Sequence, residues 1–225
     1  MMLKSVSLLF ALFLAAGALL YGASASADPV TVPDPTIDAP LAAAKGEQVA
    51  VLAGGCFWGV EAVFEHVKGV NSVTAGYAGG GRKPARYEVV STGTTGHAES
   101  VRINYDPSRV TYGQLLKVFF AVAHDPTELN RQGPDTGTQY RSAIFYANDE
   151  QKRIAEAYVA QLNRAKVFAS PVVTEVAALD SFHPAEAYHQ HYLALHPDEP
   201  YIVINDLPKL ENLRKQLPEL YVSKK

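Results

Sequence analysis

Apolar positions along the chain switch between two periods. "QVAVLAGG" at 48–55 is a short apolar run closed by two glycines, which predicts a buried strand ending in a turn. "FWGVEAVFEHV" then places Phe57, Val60, Val63, Phe64 and Val67 three or four apart, which predicts a helix. Cys56 therefore falls at a strand-to-helix junction. "VNSVTAGYAGG" and "HAESVRINYDP" read as strands; in the second, Glu99 alternates in line with Val101 and Ile103, on the apolar, inward face. "TYGQLLKVFFAVA" predicts a second helix with Thr111 as N-cap. "HDPTELNRQGPDTGTQ" is a long polar loop, and loops of that length are commonly functional. "YRSAIFYA" predicts a strand, "NDEQKRIAEAYVAQLNRAK" a helix started by Asn148 or Asp149, and "VVTEVAAL" a strand. "HPAEAYHQHYLALH" predicts a final helix led by Pro184. Helices alternating with strands give an α+β, two-layer sandwich; strand order stays open.

The first residues follow a different pattern. Lys4 precedes the uncharged run "SVSLLFALFLAAGALLYGA", and small residues follow to Ala25 and Ala27. This predicts a secretory signal peptide over 1–27, cleaved after Ala27; the competing reading is an uncleaved membrane anchor. Residues 28–46, with Pro29, Pro33, Pro35 and Pro40, predict a flexible Pro/Ala-rich linker, and the folded domain is expected over 47–225. The location expected is periplasmic or secreted.

Composition narrows the function. The 225 residues are 48% hydrophobic with net charge −3 and no long basic run, which suits one globular domain and gives no support to nucleic-acid binding. The chain has one cysteine, Cys56, and its two methionines both lie in the predicted signal. A lone thiol in a secreted protein is either buried and inert or reactive. At a helix N-terminus its pKa should fall. Gly54 and Gly55 would leave room for a substrate beside the sulfur, and Phe57 and Trp58 could wall an apolar pocket.

"GGCFWGVE" closely resembles the active-site segment of peptide methionine sulfoxide reductases of the A class. "GYAGG" at 76–80, "YEVVSTGTTGHAESVRINYDP" at 87–107, "HDPTELNRQGPDTGTQYRSAIFY" at 124–146 and "AEAYHQHYL" at 185–193 are similar to that family and occur in its order. The resemblance implies a ferredoxin-like plait with additions, and reduction of methionine-S-sulfoxide, free or in proteins, as a repair reaction. Cys56 would attack the sulfoxide sulfur and become a sulfenic acid. Glu99 would protonate the oxygen, which near neutral pH requires a raised pKa. Tyr87 and Tyr140 would hydrogen-bond that oxygen, Asp135 would order the site, and Phe57 and Trp58 would hold the S-methyl group. No metal or organic cofactor is implied.

Many family members carry further cysteines near the C-terminus that resolve the sulfenic acid. "DLPKLENLRKQLPELYVSKK" has none, so a one-cysteine enzyme recycled by an external thiol is expected: a thioredoxin-like or glutaredoxin-like protein or a small thiol. The enzyme is expected to work as a monomer. Two rivals remain. A cysteine hydrolase or acyltransferase needs a histidine base, for which His97, His124 and His189 are candidates. A metal binder could use His183, His189, His191 and His196, but His-x-His on a helix points the two rings to different faces.

Overall fold

The computed structural model describes residues 30–82 and 85–223, so the signal-peptide reading lies outside the described residues. Six strands form one sheet: β1 Gln48–Gly54, β2 Val70–Ala78, β3 Ala98–Tyr105, β4 Ser142–Tyr146, β5 Glu175–Ala178 and β6 Phe182–Pro184. Their order is β5-β4-β1-β3-β2-β6. All neighbours are antiparallel except β4 and β5. The inner four strands, in the order β4-β1-β3-β2, are the ferredoxin-like plait; β5 and β6 extend it at either edge.

Alternation along the strands divides the two faces. Ala50, Leu52, Val101, Ile103, Tyr105, Ala75 and Tyr77 face a large core shared with the helices. Val51, Ala53, Ala78, Ala98 and Phe145 form a smaller cluster on the opposite face. The helix layer is α1 Phe57–Glu65, α2 Tyr112–Val118, α3 Asp149–Ala165 and α4 Leu207–Gln216. Thr111 caps α2 through a reciprocal box: its hydroxyl accepts the Gln114 N–H at 3.1 Å and the Gln114 side chain accepts the Thr111 N–H at 2.9 Å. Asn148 caps α3 by accepting the Gln151 N–H at 2.9 Å.

Three expectations change. Residues 30–46 contain no helix or strand, as their prolines dictate, but they are not a loose tether. Val32 is buried in the main core, the Pro33 carbonyl accepts the Tyr158 hydroxyl at 2.6 Å, and the Asp38 carboxylate accepts the Thr111 hydroxyl and the Gly113 N–H. The final helix expected over 183–196 is broken. Phe182–Pro184 adds to the edge of β2, with Gly76 opposite Pro184, one 3-10 turn covers Ala187–His189, and a short helix spans Tyr192–Leu195 after a left-handed His191 (φ 56°). Gly76 makes that strand addition possible, since a Cβ there would come within 2.4 Å of the His183 carbonyl. Pairing with β2 outweighs the helical spacing of the apolar residues. The third change is α4, which the sequence reading did not identify although Leu207, Leu210 and Leu213 recur every three residues and Pro208 sits in its first turn.

Candidate active site

The turn Gly54–Gly55 ends β1 and delivers Cys56 as the N-cap of α1. Gly55 has φ +89°, which favours glycine. The space left by the missing side chains serves packing rather than substrate. A Cβ on Gly54 would lie 2.9 Å from the Phe119 ring, and one on Gly55 would lie 2.5 Å from Gln132.

Cys56 opens on a cavity of about 200 Å3 lined by Cys56, Phe57, Trp58, Tyr87, Glu99, Asp135, Tyr140 and Tyr201. The structure thus brings together all seven residues singled out in the sequence, from α1, the turn after residue 86, β3, the polar loop and the turn before β4. Larger clefts lie at Leu162–Pro171 and between Gly80 and His97, but neither holds a cysteine.

Glu99 is 2% exposed, and its carboxyl accepts the Phe57 N–H at 3.0 Å. Burial raises its pKa to about 8; the Phe57 hydrogen bond opposes this and is outweighed. The group is an acid at neutral pH. No arginine pairs with it: Arg141 bonds Glu175 at 3.0 Å, and Arg102 lies over the Phe182 ring at 5.1 Å. The cysteine departs from expectation. Its thiol is pushed well above the ordinary value by burial first, then by Glu99 and Asp206, while the Trp58 N–H lowers it by less. The helix terminus acts in the expected direction, but desolvation outweighs it. The resting site is therefore a thiol facing a carboxylic acid. Burial also raises the Tyr87 and Tyr140 hydroxyls, which stay protonated donors.

An aromatic cluster fixes Trp58. Its ring stacks on Tyr192 with centroids 3.7 Å apart and meets Tyr201 edge-on at 5.9 Å. Its indole N–H donates to His189 Nδ1 at 3.2 Å, which assigns the proton of the neutral ring to Nε2. Tyr201 was not singled out in the sequence; here it lines the cavity and donates its hydroxyl to Asp135. Asp206, also missed, is fully buried, pairs with Lys209 at 3.1 Å, and fills the space over Gly59.

No histidine lines the Cys56 cavity. His124 is held neutral by burial, with a pKa near 4, and bonds the Phe119 carbonyl and the Ser142 hydroxyl. His97 accepts the Gly80 N–H and His189 accepts Trp58. The base that a cysteine hydrolase requires is thus not at the sulfur.

A family model described as peptide methionine sulfoxide reductase matches residues 48–220. The chain belongs to the peptide methionine sulfoxide reductase family. It is 59% identical over 182 residues to peptide methionine sulfoxide reductase MsrA 2 of Mesorhizobium japonicum, covering 81% of this chain and 93% of that one. It is 50% identical over 174 residues to the MsrA of Thermus thermophilus, covering 77% of this chain and 97% of that one. Among solved structures, reduced Mxr1 of Saccharomyces cerevisiae superposes with a TM-score of 0.61 at 30% identity, covering 73% of this chain and 92% of that one. Methionine sulfoxide reductase A of Corynebacterium diphtheriae gives 0.59 at 38%, covering 68% and 76%. The chain is a peptide-methionine (S)-S-oxide reductase, an oxidoreductase of methionine sulfoxide repair. The hydrolase reading has no support in these relatives.

Proposed function

We propose that this reductase works by a one-cysteine mechanism at Cys56, with Glu99 as the proton donor. The observation that carries this reading is Glu99, buried and with its pKa raised by that burial, lining the same small cavity as the chain's single thiol. A 200 Å3 space suits a methylsulfinyl group and a few waters. Phe57 and Trp58 take the methyl, and the sulfoxide oxygen points to Glu99, Tyr87 and Tyr140. Asp135, tied to Tyr201, lines the same cavity.

The Cys56 sulfur attacks the substrate sulfur and forms a sulfur–sulfur bond as Glu99 protonates the oxygen, and the cysteine proton returns to the Glu99 carboxylate. The sulfur–oxygen bond of the substrate breaks as the hydroxyl bonds to the Cys56 sulfur, and the sulfur–sulfur bond breaks with its electron pair kept by the departing methionine, so Cys56 is left as a sulfenic acid. The sulfoxide is reduced by two electrons and the thiol is oxidised by two. The raised pKa of Cys56 argues against a standing thiolate; proton transfer coupled to attack supplies the nucleophile when substrate is present. An external thiol then attacks the sulfenic acid and releases water, leaving a mixed disulfide, and a second thiol frees Cys56. A thioredoxin-like protein, a glutaredoxin-like protein or a small thiol can fill this role. No metal or organic cofactor enters the sequence.

The leader pattern at 1–27 supports export to the periplasm or beyond. Protein recovered from that compartment should begin at Asp28; recovery only from the cytoplasm with Met1 retained would contradict export. For the chemistry, turnover is measured with dithiothreitol and each epimer of a methyl sulfoxide. The S epimer should be reduced and Cys56→Ser should be inactive. Turnover by Cys56→Ser, or a thioester at Cys56 with an ester substrate, would overturn the proposal.

A further inference from the structure

A second group of titratable side chains lies along α1 toward its C-terminal end, past Trp58, and has no part in the mechanism. Glu61 and Glu65 are one helical turn apart on α1 and face His191. Glu65 bonds His191 Nδ1 at 2.7 Å. Glu61 accepts the His191 backbone N–H with one carboxylate oxygen at 2.8 Å. Its other oxygen, Oε1, is buried, has no hydrogen-bond partner, and lies 4.0 Å from His191 Nδ1. The Ala75 N–H acts on the Glu61 carboxylate electrostatically, but its hydrogen bond goes to Gln190 at 2.9 Å. Among the described residues no lysine or arginine pairs with either glutamate. One donor atom from each of the three residues lies within 4.8 Å of the others.

We propose that Glu61, Glu65 and His191 bind one divalent cation of the zinc type, which ties α1 to the segment after β6. A side chain only 1% exposed with an unmatched oxygen is costly whether charged or protonated, since a proton on Oε1 would lack an acceptor. A cation supplies the missing partner. Two carboxylate oxygens and an imidazole nitrogen form a donor set that zinc accepts. Tetrahedral zinc holds such ligands about 3.4 Å apart, and the observed separations bracket that value. His191 is half exposed, so a fourth position opens to water. His191 follows His189 by two residues, so the cation would stiffen the segment whose imidazole orients Trp58. The role is structural and independent of the sulfoxide chemistry.

The test uses the full chain carrying Cys56→Ser, so that zinc cannot bind the catalytic thiol. Titration with Zn2+ and with Co2+ should show one ion per chain and, at hundred-fold excess over Kd, a Tm rise of about 5 °C or more. Bound Co2+ should show a visible absorption band from low coordination. Glu65→Gln and His191→Ala, each added to that background, should weaken binding at least about tenfold. Glu65→Gln is the safer variant for folding, because His191 and the Glu61 contact to its backbone are retained. No ion bound at micromolar zinc, or affinity unchanged in both variants, would overturn the proposal. A failed reductase with intact zinc binding, or the reverse, separates this inference from the catalytic one.

Discussion

Replacing Glu99 with glutamine should abolish catalysis and stabilise the fold. The carboxyl is almost fully buried, and its pKa is about 8 against an ordinary value of 4.5. At pH 7 the unfolded chain ionises this group while the folded protein holds it neutral, a difference of about 3 kcal/mol against folding. The sign follows from the raised folded pKa of an acid. The folded state binds the extra proton, so the contribution of this group is most favourable below pH 4.5, falls as pH rises to about 8, and is level above. Glutamine has no such loss, and its amide oxygen can accept the Phe57 N–H that Glu99 accepts now. Allowing for imperfect pairing of the new amide N–H groups, Glu99→Gln should gain about 2 kcal/mol at pH 7 and raise Tm by about 4–8 °C. Thermal melts of both proteins between pH 4 and pH 9 measure this. The Tm difference should be slightly negative at pH 4, change sign and grow through neutrality and level near pH 8, while turnover with dithiothreitol falls about 100-fold or more. A difference that does not vary with pH would refute the buried-acid assignment, and retained turnover would refute its catalytic role.

Further expectations are specific to single groups. Wild-type turnover should decline as pH rises through about 8, as Glu99 loses its proton; a rate that keeps climbing to pH 10 would show that thiol ionisation controls the step instead. Tyr87→Phe and Tyr140→Phe should each lower kcat about 10-fold or more with little change in KM, read from steady-state kinetics, because in the proposed mechanism their hydroxyls act on the oxygen as charge develops. Gly59→Ala should destabilise the fold by about 2 kcal/mol or more in denaturant titration, since the new Cβ would lie 2.1 Å from Asp206 Oδ1. Asp38→Ala should lower stability by about 1–2 kcal/mol, as the Thr111 hydroxyl and the Gly113 N–H lose their acceptor.

Much of this was legible in the sequence because period and position coincide. The period-2 alternation of β3 put Glu99 on the core side with Val101 and Ile103, and the structure places it there. The strand, Gly-Gly turn and helical spacing around Cys56 gave its junction. The cluster that lines the Cys56 cavity, drawn from segments far apart in the chain, came from resemblance and not from pattern. Tyr201 had no local signal to separate it from the other tyrosines among twelve, and it reaches the cavity only because the chain returns after β6. The Pro-rich segment 30–46 looked free because composition reports regular structure and not docking; Val32 and Asp38 hold it down. The thiol pKa was misread because the helix terminus is visible in sequence and the depth of burial is not.

The central claim is that one cysteine carries the oxygen. Its most direct test is a single-turnover experiment with purified protein, no added thiol and excess S-epimer methyl sulfoxide. The account predicts about one methionine-type product per enzyme, a sulfenic acid trapped at Cys56, and multiple turnovers on adding dithiothreitol. Product without oxidation of Cys56, or no product from either epimer with dithiothreitol present, would contradict it.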